Sequence, residues 1–459
     1  MADSKPRFAY FKQIAIGAGS GALALALIIA GFSVSGGPKA SPSSSASNTA
    51  SASGTPSASA SATDAHTCLV TKQATDARLG ELHAAVVNAE TGELLFDRLS
   101  DQPAATASML KVLTATAALQ TLGPNFRVET KVYQDPTDPG TLIIVGGGDP
   151  TLSRTAAGKQ SVYLDAPKLS DLAVQVNAAV GDTPITQIIT DSTLFTGENW
   201  LNSWERSEQT IGYMSEVTAL QVDGDRKSAS KETSPRSTDP VLRAGQWFRD
   251  ALGTNATGAA VVDGSLPDGA VQVAKVSSQP ISKWITHMMA VSDNTQAEAL
   301  ARLVSIKLGF NGSFASLNQA IPKALRNAGL DPTLLTIMDG SGLSDLNRVS
   351  PMFMTKLMKV LIDAKGDISG VKDSLPVAGE TGSLAARFTG KNADAAGHIF
   401  AKTGWIKKGY TLGGFMYAKD GTTLLFAIYA LGDVKDDAKT AIDNLATAIY
   451  RCGNKLSNN

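Results

Sequence analysis

The sequence predicts a mixed α/β (α+β) fold whose sheet takes strands from both ends of the folded body, with a large inserted domain between them. Three observations carry this reading. Apolar runs of strand type, separated by turn residues, stand near the start of the body from Leu82 to Phe96 and again near its end in HIFAKTGWI, TLGGFMYA and TTLLFAIYAL. Helical apolar spacing flanks both groups. The interval from Ser108 to Ser292, two residues singled out below, is much longer than that from Ser292 to Lys402, and one helix and a loop would not need it. The chain therefore divides into an N-terminal segment (1–35), a linker (36–66), a main domain (67–122 and 281–456) and inserted material (123–280).

With 459 residues, 43% of them hydrophobic, the chain can bury a sizeable core and form more than one domain. Its net charge of −1 offers no electrostatic footprint for nucleic acid. Lys5, Arg7 and Lys12 precede an uncharged run over residues 14–34. A bilayer span needs about 20 apolar residues, and basic residues before it favour a cytoplasmic N-terminus, which puts the rest outside the membrane. The rival is a cleaved signal peptide, for which Pro38-Lys39-Ala40 is a poor small-residue site. The Gly17-to-Gly21 run precedes no strand–helix unit and reads as close-packing glycine. The Ser/Ala/Thr-rich linker lacks large apolar residues, cannot form a core, and reads as a flexible tether.

Within the body, Leu82 to Val87 suits a buried strand, and Glu90-Thr91-Gly92 supplies turn chemistry before Leu94-Leu95-Phe96, giving a hairpin. A helix follows from Ser108, with Leu110, Leu113 and Ala117 as its buried stripe. In the inserted segment Thr141 to Val145 and Ile185 to Ile189 read as strands, and Leu169, Leu172, Val176 and Val180 line a helix between them. Lys407-Lys408-Gly409 and Lys419-Asp420-Gly421 mark turns between the three C-terminal strands. The last helix has Asp436 as N-cap and Ala438, Ile442, Leu445 and Ile449 on one face.

The chemistry gathers in three short motifs. Ser108 and Lys111 lie three apart and share a helical face, so a neutral Lys111 amine can take the Ser108 proton. Ser108, in the first turn, also meets the positive end of the helix dipole. S-x-x-K alone is common by chance. It gains weight from Ser292-Asp293-Asn294 in VSDNTQAEAL and Lys402-Thr403-Gly404 in HIFAKTGWI, which follow in order. Other chemistries find no footing. Gly146-Gly147-Gly148 lacks the rest of a phosphate loop, and His66, His83, His287 and His398 lack zinc-site spacing. Asp339-Gly340-Ser341-Gly342 comes nearest to a G-x-S-x-G elbow but lacks the first glycine.

The ordered trio resembles that of penicillin-recognising serine enzymes. More narrowly, the chain resembles the low-molecular-mass class C penicillin-binding proteins, the D-alanyl-D-alanine carboxypeptidase/endopeptidase family. VGGGDPTL, SWERS and DGSGLS resemble that family's local sequences, and the likeness runs from about Leu82 to Tyr450. It implies the serine β-lactamase/penicillin-binding-protein-like transpeptidase fold: a five-stranded antiparallel sheet with a helical cluster, the active site between them. It also implies acyl transfer without a cofactor or metal. Ser108 would attack the penultimate D-alanine carbonyl of a peptidoglycan stem peptide, and β-lactam antibiotics would trap it. Lys111, its pKa lowered by a crowded cationic site, would be the base. Ser292 would relay a proton to the departing amine, Asn294 would bind substrate backbone and position Lys111, and Lys402 would add positive potential. In the expected substrate-binding set, Thr403 takes the terminal carboxylate, Gly404 permits close approach, Asp293 orients its loop, and Trp405 shares the oxyanion hole with Ser108 through backbone N–H groups. Relatives often carry Thr or Ser where Trp405 stands, so the backbone role survives but a hydroxyl does not.

Two rival readings of function follow. A β-lactamase would need a deacylating glutamate on an E-x-x-L-N loop, absent between Thr295 and Gly342, although Glu298 stands on the helix after S-D-N. A non-catalytic penicillin-binding sensor would have no need of three intact motifs. Cys68 and Cys452 stand one at each end of the body. They are a disulfide candidate in an oxidising compartment, the alternative being two unrelated buried thiols. The expected location is extracytoplasmic, either anchored to the bacterial cell membrane by residues 1–35 or secreted after their cleavage.

Overall fold

The computed structural model describes residues 66–458, so the expected span and nearly all of the expected tether lie outside the described residues. Among the described residues no helix is long and apolar enough to cross a membrane. Among the described residues ten strands form two sheets. The first contains β1 (Glu81–Asn88), β2 (Leu94–Arg98), β8 (Ile399–Ile406), β9 (Gly409–Tyr417) and β10 (Thr423–Leu431), in the order β2-β1-β10-β9-β8. Every pairing in it is antiparallel. The second contains β3 (Glu129–Gln134), β4 (Thr141–Val145), β5 (Gln187–Asp191), β6 (Ala260–Asp263) and β7 (Val271–Ser277), in the order β6-β5-β4-β3-β7. It is mixed, since β4–β5 and β5–β6 run parallel.

The first sheet is buried on both faces, which explains why its strands read as apolar runs and not as alternating ones. Along β10, Leu424, Phe426 and Ile428 pack to one side, and Leu425, Ala427 and Tyr429 to the other. The first set meets the C-terminal helix 438–452. The second meets the helix 351–363. β1 pairs with β10 along its whole length, from Glu81↔Leu431 to Asn88↔Leu424, so the two ends of the body share the centre of one sheet.

Among the described residues eight longer helices complete the framework: α1 (Leu110–Leu122), α2 (Leu169–Val180), α3 (Pro240–Leu252), α4 (Ile281–Val291), α5 (Asn294–Lys307), α6 (Phe314–Asn327), α7 (Pro351–Asp363) and α8 (Ala438–Cys452). Leu110, Leu113 and Ala117 are buried as expected, but burial extends to every residue from Leu110 to Leu119, Lys111 included. The cause is its setting among α4, α5 and α6, which pack around it. α8 starts after Asp437, not Asp436, whose carboxylate instead accepts from the Tyr410 hydroxyl. β5 starts at Gln187, two residues later than expected, because the Ile185 N–H is taken by the Asn255 carbonyl. α3 escaped the sequence reading although Asp239 caps it and Pro240 opens it.

Cys68 and Cys452 form a disulfide with a Cα–Cα distance of 5.4 Å. Two backbone hydrogen bonds flank it, from Cys68 N–H to the Lys455 carbonyl and from Ser457 N–H to the Cys68 carbonyl.

Candidate active site

Ser108 lies in a 3-10 turn, Ala107–Met109, that leads straight into α1. Ala107 takes a left-handed conformation (φ 48°), a position that costs a non-glycine residue and persists only where the surroundings enforce it. The enforcement comes from two sides. The Thr411 hydroxyl of β9 donates to the Thr106 carbonyl at 2.8 Å. Gly342 presses so closely from the other side that a Cβ there would fall 1.9 Å from the Ala107 oxygen.

One turn on, the Lys111 amine is fully buried and donates to Ser108 Oγ (2.8 Å), Asn294 Oδ1 (2.7 Å) and the Ser341 carbonyl (2.8 Å). Burial lowers its pKa to about 8, while the carboxylates of Glu298, Asp339 and Asp293 pull upward. The expected cause was crowding by cations, so this is a correction: desolvation does the lowering at Lys111. Cationic crowding acts at Lys402, whose pKa is pushed well down, first by burial and then by Lys111. Lys402 Nζ donates to Ser292 Oγ and the Thr403 carbonyl, both at 2.9 Å.

The S-D-N loop joins α4 to α5. Ser292 ends α4 in a left-handed conformation (φ 63°), Asp293 caps α5, and Asn294 is its first residue. Asn294 also donates from Nδ2 to the Tyr213 carbonyl at 3.1 Å. Asp293 does not offer its carboxylate to the cleft. That side chain is turned inward, accepting from Arg226 Nη2 (2.7 Å), the Tyr163 hydroxyl (3.0 Å) and Gln296 N–H (3.0 Å). Although burial opposes ionisation, the Arg226, His287 and Arg236 charges hold this carboxyl well below the usual range.

β8 is the edge strand that carries K-T-G. Gly404, expected to permit close approach of substrate, lies against β9 and the Ser108 turn: a Cβ there would lie 2.2 Å from Thr411 Oγ1 and 2.9 Å from both Ala107 Cβ and Ser108 N. The Ala401 N–H points away from β9, to the Pro376 carbonyl. N–H groups alternate along an antiparallel strand, so those of Thr403 and Trp405 also face the open edge. The Thr403 hydroxyl shares a 2.8 Å hydrogen bond with Ser383 Oγ. The Trp405 indole is 47% exposed and meets Tyr213 edge-on at 6.5 Å.

Ser108, Lys111, Asn294, Ser292 and Lys402 are thus linked through hydrogen bonds and the S-D-N backbone. The sequence reading missed Ser341, Tyr213, Ser383 and Arg226. DGSGLS contained Ser341 without revealing a role, because it is the main-chain carbonyl that meets Lys111. Glu298 accepts from the Gly340 and Ser341 N–H groups at 2.9 and 2.7 Å. Its fully buried carboxylate, with a pKa raised by burial and by Asp339, props the loop that carries this carbonyl.

The chain as a whole is similar to known proteins. The chain fits the D-Ala-D-Ala carboxypeptidase 3 (S13) family over residues 68–233 and 224–450. It is 33% identical over 391 residues to the carboxypeptidase Rv3627c of Mycobacterium tuberculosis, covering 84% of each chain. To the D-alanyl-D-alanine carboxypeptidase of Actinomadura sp. (strain R39) it is 26% identical, covering 75% of this chain and 76% of that one. Its fold is similar to that of penicillin binding protein 4 (dacB) from Haemophilus influenzae, with a TM-score of 0.69 and 20% identity over 80% of this chain and 95% of that one. With the family matched across nearly the whole described body, the chain belongs to the S13 D-Ala-D-Ala carboxypeptidases.

Proposed function

We propose that the protein is a serine-type D-alanyl-D-alanine carboxypeptidase/endopeptidase that cleaves peptidoglycan stem peptides through a covalent acyl-serine and is inhibited by penicillin. The observation that carries this is the buried Lys111 amine, 2.8 Å from Ser108 Oγ and held by two further acceptors. Neutral Lys111 removes the Ser108 proton as Oγ adds to the penultimate D-alanine carbonyl. The N–H groups of Ser108 and Trp405 receive the oxyanion, and a donor of this kind is worth about 10²–10³ in rate. Collapse of the adduct expels the terminal amine, which takes its proton through Ser292 beside Lys402. Water then releases the acyl group. Thr403, with Lys402 beneath it, receives the terminal carboxylate, and Asn294 binds the substrate backbone. Glu298 is committed to backbone N–H groups, which speaks against a β-lactamase's deacylating base.

The catalytic body works outside the membrane in this proposal, anchored by residues 1–35 and spaced from it by 36–66, with 123–280 as an inserted domain. Fractionation of cells would find the protein in the membrane pellet, resistant to salt; a wholly released mature form would favour cleavage. A fluorescent penicillin should label the wild-type protein and leave Ser108→Ala unlabelled. Undiminished labelling of that variant would remove Ser108 as nucleophile.

A further inference from the structure

The residues that grip Asp293 come from far away in the chain, between β4 and α3, and they are built to stay put. The turn Asp223-Gly224-Asp225 has three successive positive φ values, 53°, 57° and 58°. Two of these are aspartates, for which the conformation is costly unless tertiary contacts hold it. Here they do. Arg154 Nη1 donates to Asp223 at 2.8 Å, Arg243 Nη1 to Asp225 at 2.7 Å, and the Ser237 N–H and hydroxyl donate to the other Asp225 oxygen at 2.6 and 2.9 Å. The product of the turn is the placement of Arg226. Only 2% of this residue is exposed. Besides Asp293, its guanidinium donates to the Tyr163 hydroxyl (2.6 Å) and the carbonyls of Asp223 (3.2 Å) and Glu232 (3.1 Å), and it lies 4.8 Å from the centre of the Tyr163 ring.

The other end of this grip is the reacting loop. Asp293 has Ser292 and Asn294 as its chain neighbours, and these accept from Lys402 and Lys111 respectively. A structural ion pair could sit anywhere in the body. This one fixes the single residue between the acceptors of the two buried lysines.

We propose that Arg226 is a positioning residue for acyl transfer: through the Asp293 carboxylate, and with Tyr163 sharing the same oxygen, it sets where Ser292 and Asn294 stand. The segment that carries the second sheet is thereby a working part of the reaction and not an appendage. This rests on the acyl-serine reading above.

The test follows penicillin acylation of Ser108 by stopped flow, separating the acylation rate constant from the affinity of the preceding complex, and monitors melting in parallel. Displacing reacting groups by a fraction of an ångström should slow acylation roughly tenfold or more in Arg226→Lys, with initial affinity changed less than about twofold. Tyr163→Phe removes only one hydroxyl from the network and should slow acylation to a lesser degree in a protein that still folds, with at most a modest drop in melting temperature; it decides the matter should Arg226→Lys not fold. Arg226→Met combined with Asp293→Asn should acylate no more slowly than Arg226→Met alone, because both act through one contact. Wild-type rates in folded Arg226→Lys or Tyr163→Phe, or losses that simply add in the double variant, would overturn the proposal. A wild-type protein that penicillin does not label would instead overturn the function proposed above.

Discussion

Three acceptors surround the Lys111 amine, and an ammonium has three protons to give them. Loss of one proton leaves a lone pair, and of the three partners only Ser108 Oγ has a proton to return to it. The cost of burying the cation brings deprotonation within reach, with the pKa at about 8. Below that value the charged form dominates and the base is absent. Acylation by a β-lactam without titrating groups should therefore rise about tenfold per pH unit up to near pH 8 and level off above it, as measured by single-turnover labelling. A rate flat from pH 5 to 9 would remove Lys111 as the base. Lys111→Ala should abolish D-alanine release from a stem pentapeptide. At this scale the sequence was informative where short spacing pairs side chains, and it missed Arg226 and Ser383, whose side chains reach the site only through the tertiary fold. The i,i+3 spacing paired Ser108 with Lys111, but it was silent about the Ser341 carbonyl, since a backbone acceptor has no residue signature. It also misjudged why the pKa falls, because burial on all sides of a helix is a tertiary fact.

In the proposed mechanism β8 would supply an oxyanion donor because it is an edge strand. Its partner β9 takes alternate backbone groups, and those of Thr403 and Trp405 stay open to the cleft. Between them Gly404 lies against the nucleophile's turn with no room for a side chain. Gly404→Ala must push β8 from Ser108 or twist the edge, and either separates the two N–H donors. The expected result is a loss of about 10²–10³ in acylation rate, comparable to removing one donor, while Ser108 and Lys111 remain intact. Labelling of Gly404→Ala at the wild-type rate would mean that the strand edge does not form this site. Trp405→Thr, by contrast, keeps the N–H and should still be labelled, with any change falling on substrate preference. The elements most legible in the sequence were those with strong signals of their own, such as β8 to β10 with their turns and α2 with its apolar face. β6 and β7 went unread because they are the outer strands of the second sheet and largely exposed, so their residues carry little apolar pattern.

Across the whole molecule, the pairing of β1 with β10 turns a chain whose motifs lie far apart into one body whose ends meet. Both ends of the body were readable as strands, and that was enough to expect one sheet; the parallel pairings inside the second sheet were not, since a periodicity of two does not reveal direction. The disulfide closes the same loop covalently. Cys452 lies at the end of α8, in the core on the sheet face opposite the one that packs against the Ser108 helix. Stability and chemistry should therefore separate. In the chain-entropy treatment a bridge across so long a loop restricts the unfolded chain by about 6 kcal/mol, an upper figure since real bridges often deliver less. Cys68→Ser and Cys452→Ser should each lower the melting temperature by the same amount, and the double variant by no more, because one bond is lost in all three. Acylation of Ser108 at ambient temperature should stay at the wild-type rate in each. Non-reduced peptide mapping of exported protein should yield one linked pair containing both cysteines. Two freely alkylatable thiols in that material, or variants whose acylation falls together with their stability, would contradict a bridge that clamps the termini from behind the active site.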